Sequence, residues 1–219
     1  MKNSFKYLVV GLGVQGKKRA SVDKKNLVGT VDLLNQKADY KKIYDVPLDL
    51  YNSAYVCVPD NKKISIIKYL LENKKNVLVE KPLISNKKKL QKIFDLAKKN
   101  KCILYVAYNH RFEPFLVKIK NFLREKKIGK IYLCNIFYGN GTSMLVRNST
   151  WKDKNKGVLS DIGSHLLDIV FWFFDLKKNI LFRKMIYKKF ENNSYDYSYI
   201  ASNLNKTQIN LEMTYCMWK

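Results

Sequence analysis

The sequence predicts an α/β protein. A doubly wound parallel sheet comes first, followed by an α+β region whose sheet is mostly antiparallel and incomplete. Three observations carry this. Short apolar runs alternate with lysine-faced helical stretches through the first half of the chain, the pattern that feeds parallel strands through crossover helices. The first run ends in a glycine-rich turn. Beyond about position 120 the alternation gives way to longer strand-like segments and one strongly apolar helix, so we divide the chain into 1–120 and 121–219.

Taken in order, Tyr7-Leu8-Val9-Val10 is a continuous apolar run that reads as a strand buried on both faces. A helix should begin near Val14 and carry Lys17, Lys18 and Arg19 outward. Leu27–Val31 gives a second strand, closing on Asp32, and Ser53–Val58 a third, closing on Pro59. Ile64, Ile67 and Leu71 share one face of a following helix. Asn76–Val79 is the fourth strand and runs into Glu80-Lys81-Pro82. A helix with Leu90, Ile93, Phe94 and Ala97 inward leads to a fifth strand, Cys102–Ala107. In such a sheet ligands bind at the carboxyl ends of the strands. Gly11, Asp32, Pro59, Glu80, Lys81 and Asn109 all fall there. Further on, the pattern predicts a helix over Phe115–Leu123, a strand over Tyr132–Tyr138 and an apolar helix over Ser164–Phe174. Strands of alternating character then run from Ile180 to the end, where Tyr215–Lys219 reads as part of a strand.

Composition narrows the function classes. The 219 residues hold 42 Lys+Arg against 18 Asp+Glu, a formal charge of +24, which raises a polyanionic partner as one reading. The cations are almost all lysines, spread as doublets such as Lys62-Lys63, Lys74-Lys75 and Lys98-Lys99. Nucleic-acid readers favour arginine for its planar fork, so solvated helix faces explain the charge better. Cys57, Cys102, Cys134 and Cys216 form no CxxC pair, and with only His110 and His165 in the chain no metal site is expected. Scattered single cysteines fit a reducing cytoplasm. No signal peptide opens the sequence, and the apolar run Leu166–Phe174 is too short to cross a bilayer.

Gly11-Leu12-Gly13-Val14-Gln15-Gly16 is a G-x-G-x-x-G turn between a strand and a helix, the setting in which this motif binds a dinucleotide. Gly11 permits the tight turn, Gly13 lets backbone approach a pyrophosphate, and Gly16 lets helix and strand pack closely; the helix N-terminus supplies unpaired N–H groups. Asp32 closes the second strand about twenty residues on, where a carboxylate accepts from both ribose hydroxyls and repels a 2′-phosphate. NAD is therefore expected in preference to NADP, in a Rossmann domain.

Three further segments are hard to explain as packing. They are Glu80-Lys81-Pro82, Asn109-His110-Arg111-Phe112 and Asp161-Ile162-Gly163-Ser164-His165. In the last, an acid and an imidazole four residues apart share a face if a helix begins there. Together the GLGVQG turn, VLVEKPL at 77–83, NHRF at 109–112 and GVLSDIGSHLLD at 157–168 resemble the Gfo/Idh/MocA family, in family order over most of the chain.

The resemblance implies a Rossmann domain plus an open-faced sheet that covers the nicotinamide and mediates homo-oligomerisation. It implies Lys81, Asp161 and His165 as the catalytic set, and a cis peptide at Lys81-Pro82. The expected cofactor contacts are Gly11, Gly13, Val14, Gln15, Gly16, Asp32, Val58, Pro59, Asn61, Glu80, Lys81 and Asn109. His165 would act as general base, an effect of roughly 10²–10⁴-fold, Lys81 would stabilise charge on the substrate oxygen, and Asp161 would orient His165 or touch a hydroxyl. His110 is read as structural. The stretch SMLVRNSTWKD at 143–153 is similar to members that handle sugars or nucleotide sugars for surface polysaccharides. Arg111, Arg147 and Lys156 are the candidates for gripping a substrate phosphate or carboxylate. Lys63 stands where many members carry a histidine. Family members are usually longer, which raises the alternative of an inactive or partner-dependent truncated member that binds NAD without turnover.

Overall fold

The computed structural model describes residues 5–149, 152–154, 156–176 and 180–217, and divides the chain into two compact units, Met1–Ala107 and Tyr108–Lys219. Thr150 and Trp151 of the 143–153 stretch, and Trp218 and Lys219 at the end, lie outside the described residues.

In the first unit, strands β1 (Tyr7–Val10), β2 (Leu27–Val31), β3 (Ser53–Val56), β4 (Asn76–Val79) and β5 (Leu104–Val106) form one sheet in the order β2-β1-β3-β4-β5. Every pair is parallel. The third strand stops at Val56, two residues short of its expected end at Val58. Helices α1 (Val14–Val22), α2 (Asp60–Glu72) and α3 (Lys87–Lys99) carry three of the crossovers. Between β2 and β3 the connection is instead a loop with a 3-10 turn at Ile43–Asp45, which buries Ile43 and Val46 in place of a helix face. α3 starts where Asn86 caps it by accepting the Lys89 N–H at 2.8 Å, and turns Ile93 and Ala97 inward. Leu8, Val10, Ala54, Val56, Val77 and Val79 join Ile67, Leu70 and Leu71 of α2 in one core. Because β2 and β3 leave β1 on opposite sides, the strand order reverses at β1, and a crevice opens at its carboxyl end.

The second unit begins with a 3-10 turn at Asn109–Phe112 and α4 (Pro114–Arg124), whose proline stands in the first turn. Strand β6 (Leu133–Gly139), the short helix α5 (Ser143–Arg147) and α6 (Val158–Phe173) follow, then β7 (Phe182–Lys188), β8 (Tyr197–Leu204) and β9 (Thr207–Thr214). The sheet order is β6-β9-β8-β7. β7/β8 and β8/β9 are antiparallel, as expected, while β6 pairs with β9 in parallel. The difference follows from the connections: a two-residue turn at Asn205-Lys206 reverses the chain between β8 and β9, whereas helices intervene between β6 and the rest. Alternate residues of β8 and β9, among them Ile200, Ile209, Leu211 and Met213, face Ile162, Leu166, Ile169, Val170 and Phe173 of α6. Truncating a fully buried member such as Leu166 to alanine costs about 2–5 kcal/mol. The start of α6 and the end of the last strand differ most from expectation. α6 starts at Val158 rather than Ser164, because Val158 N–H is taken by Tyr195 O at 2.8 Å. Tyr215–Met217 follow β9 rather than extend it.

Candidate active site

At the crevice of the first unit, Gly11 has φ +95, and a Cβ there would stand 2.6 Å from Cys57 O. Gly16 lies so close beneath that its Cβ would fall 1.7 Å from Gly11 O. No side chain fits at either position. Gly13 differs: nothing lies within 4 Å of its Cβ position, so the space before the N-terminus of α1 is open to a ligand. No side chain caps this helix, and Val14 and Gln15 stand exposed in its first turn. First-turn amides have no intrahelical acceptor and suit a pyrophosphate.

Asp32 closes the same crevice. Its Oδ2 accepts the Leu12 N–H at 2.6 Å, and its Oδ1 accepts from Leu34 N and Asn35 N, both at 2.9 Å. Burial pushes this carboxyl up, but the three backbone donors and the charge of Lys41 outweigh it and hold the group below its ordinary range. The acid is thus ionised and fixed against the glycine turn.

On the neighbouring strand ends, Val58 is half-buried, Pro59 is the N-cap of α2, and Asn61 stands exposed in the first turn. The Lys81-Pro82 bond is cis, as the resemblance implies. Glu80 is held by Arg19 of α1, which donates from Nε to Oε1 at 2.8 Å. Arg19 was hidden in the sequence behind Lys17 and Lys18. Cys57 sits beside this pair, and burial, followed by the charge of Glu80, pushes its thiol up to about 12. It is an inert thiol.

In the second unit, Asp161 lies in the first turn of α6 and His165 one turn on. Tyr215 donates its phenol to Asp161 Oδ2 at 3.0 Å. His165 is buried at 7% exposure, with the His110 ring edge-on at a centroid distance of 4.5 Å and that of Tyr108 at 5.8 Å. His110 in turn shares Nδ1 with Glu113 Oε1. The chain's two histidines are therefore packed together, a proximity that the sequence does not signal. Asn109 is exposed at the start of the NHRF turn.

Of the three residues assigned to substrate, two are engaged within the unit. Arg111 grips Asp168 from Nε and Nη2 at 2.7 and 2.6 Å, locking the NHRF turn to α6. Arg147 reaches Glu191 at 3.1 Å. Lys156 is exposed. Asp168 stands seven residues after Asp161, two helical turns along the same side of α6, and no spacing in the sequence pairs it with Arg111. Among the described residues no group of three or more metal ligands exists, and no helix is long and apolar enough to cross a membrane.

A parallel sheet with this glycine turn and strand-end acid, followed by a second unit carrying an Asp-His helix, defines a dinucleotide-dependent class of protein. Comparison with known families agrees. Residues 5–108 match the model of the oxidoreductase family with an NAD-binding Rossmann fold, and 116–185 match the GFO/IDH/MocA C-terminal domain. The chain belongs to the Gfo/Idh/MocA oxidoreductase family. It is 22% identical over 170 residues to glucose-6-phosphate 3-dehydrogenase of Bacillus subtilis, an alignment covering 71% of this chain and 49% of the relative. It is 30% identical over 113 residues to trans-1,2-dihydrobenzene-1,2-diol dehydrogenase of Xenopus laevis, covering 52% and 34%. A solved oxidoreductase from Agrobacterium radiobacter, in complex with NAD+, L-tartaric acid and magnesium, shares the fold at a TM-score of 0.86 and 13% identity, over 98% of this chain and 68% of that one. The alignments with these two curated relatives span between a third and a half of the relatives' length.

Proposed function

We propose that this chain binds NAD and serves an oxidoreductase acting on a secondary alcohol of a sugar or nucleotide sugar. The observation that carries the reading is the tie between Asp32 and the glycine turn: the Leu12 N–H on Asp32 Oδ2 at 2.6 Å places a fixed carboxylate beside an open helix N-terminus. The residues fit the cofactor. Gly13 leaves room where a Cβ would intrude, Gly13 to Gly16 would hold the pyrophosphate, and Asp32 would hold the ribose hydroxyls and disfavour a 2′-phosphate. When bound, the nicotinamide supplies the hydride acceptor or donor.

The chain's own residues then divide the remaining work. His165 takes or returns the hydroxyl proton, Asp161 keeps its neighbour on α6 oriented, and Lys81 donates to the substrate oxygen as negative charge builds on it. The names of the two dehydrogenase relatives support an alcohol as substrate, and the 143–153 resemblance supports a sugar destined for surface polysaccharide. Lys156, exposed before α6, is our candidate for a substrate phosphate. Half-exposed Leu133 and Phe137 on β6 support homo-oligomerisation through the second sheet, and the four free cysteines support a cytoplasmic setting.

Calorimetry of the 219-residue chain with NAD(H) and NADP(H), alongside Asp32→Ala, tests the cofactor reading. Tight NAD binding that weakens in the variant is the expected result; a folded sample that binds neither nucleotide overturns it. Absorbance of NADH formed with a panel of polyols, glucose 6-phosphate and nucleotide sugars then tests turnover.

A further inference from the structure

We propose that Lys63 is a positioning residue for Lys81, clamping the backbone on both sides of it; this rests on the reading of Lys81 as a residue at the nicotinamide. Lys63 belongs to the first turn of α2, yet it is 2% exposed, and a buried ammonium is tolerated only when its protons are met. Here three oxygens meet three protons. Nζ lies 2.7 Å from Asp60 Oδ1, 2.6 Å from Glu80 O and 2.7 Å from Pro82 O. Glu80 O lies in the peptide plane that enters Lys81 and Pro82 O in the plane that leaves Pro82, so one cation holds the main chain on both sides of Lys81 and limits the direction its side chain can take.

The other attachments of this segment reinforce the clamp. Glu80 N–H is held by Val56 O at 2.9 Å, and the Glu80 carboxylate by Arg19. Two helices thus each send one cation to the same short turn, Arg19 to a side chain and Lys63 to the main chain. A residue that merely filled space at a position this buried would be apolar. A lysine is required because two carbonyls point inward and need donors. Precision has a purpose at this place: misplacing a group by about 1 Å at a reacting centre can cost about 10²-fold in rate.

The test is chemical and does not depend on knowing the substrate. Lysines of the folded chain are acetylated with an N-hydroxysuccinimide ester, with and without saturating NADH, and the rate at Lys81 is read by peptide mass spectrometry. Wild type should show NADH-dependent protection of Lys81. Lys63→Met should keep its NADH affinity by calorimetry and lose that protection, and Lys63→Arg, which retains a multidentate cation, should recover part of it. Protection in Lys63→Met equal to wild type overturns the proposal and leaves the site reading standing. Absence of protection in wild type withdraws both. Should Lys63→Met fail to fold, Lys63→Gln is read in the same way: it keeps a donor but not the reach, so reduced protection supports the clamp and full protection overturns it.

Discussion

Tyr215 places its phenol proton on Oδ2 of Asp161 across 3.0 Å, tying the residue that follows β9 to the first turn of α6. The phenol is 3% exposed. Burial first, and then the negative charge of Asp161, push its pKa far above the usual tyrosine value, so it remains a donor throughout the working pH range. One oxygen of the candidate catalytic carboxylate is thereby committed and its plane fixed.

A hydrogen bond to a charged group contributes about 1.5–3 kcal/mol. Tyr215→Phe should lower unfolding stability by an amount in that range, and Asp161→Ala combined with it should be non-additive. We expect a double-mutant coupling of about 1 kcal/mol or more from urea denaturation. Strict additivity would show that the two side chains do not interact in solution.

Asp32 has a depressed folded-state pKa. Its contribution to stability is therefore fully present above the unfolded value of about 3.9 and is lost only as pH falls through the lower folded value. NAD affinity should accordingly hold down to about pH 5. Asp32→Ala should lower it about tenfold, equivalent to about 1.4 kcal/mol, and narrow the gap to NADP. An unchanged NAD:NADP ratio in the variant would remove Asp32 from the ribose.

The parts that the sequence disclosed are those in which local pattern and site coincide. The YLVV run, the glycine turn and Asp32 lie within one strand-helix-strand unit, so spacing alone places them, and the structure ties them together as one crevice. Asp161 and His165 are likewise legible as a helical repeat, although α6 begins six residues before the expected Ser164 because a backbone bond from Val158 to Tyr195, not side-chain periodicity, sets its start. Arg111 reads as a cation for the substrate in NHRF, and only the folded helix shows Asp168 as its partner. Tyr215 carries no functional signal in the sequence, and Lys63 carries only its place where many family members have a histidine. Their partners are set by sheet register and by a carbonyl direction, and neither quantity is written in residue type.

Arg111 and Asp168 form a bidentate pair with side-chain exposures of 33% and 9%. Exposed pairs contribute about 0.2–1 kcal/mol and breaking buried ones costs about 3–5, so Arg111→Ala should cost about 2 kcal/mol by urea denaturation. Arg111→Lys should recover little of it, because an ammonium cannot supply two parallel donors. NAD affinity should be unchanged in both. A variant of normal stability whose only defect is a raised KM would return Arg111 to the substrate.

Tyr51 offers the opposite case, a buried group whose removal should help. Its ring is 2% exposed and carries Lys75 Nζ above it at 4.9 Å, but its hydroxyl has no hydrogen-bond partner among the described residues. An unmet buried donor costs about 1–3 kcal/mol, and phenylalanine keeps both the ring and the cation–π contact. Tyr51→Phe should therefore raise stability at neutral pH by about 1 kcal/mol. Burial, with a smaller effect of Tyr69, also raises the Tyr51 pKa well above its ordinary value. The sign is that of an acid kept protonated by folding: its contribution is intact below the unfolded value of about 10 and is lost as pH rises toward the folded one. Wild type should lose stability above about pH 10, and Tyr51→Phe should lose less, although Tyr7, Tyr55, Tyr108 and Tyr215, raised in the same way, keep some of the slope. Urea midpoints of both proteins at neutral and alkaline pH decide the matter. A variant less stable than wild type at neutral pH would mean that the hydroxyl is bonded in solution, through an ordered water, and that the gain predicted here does not exist.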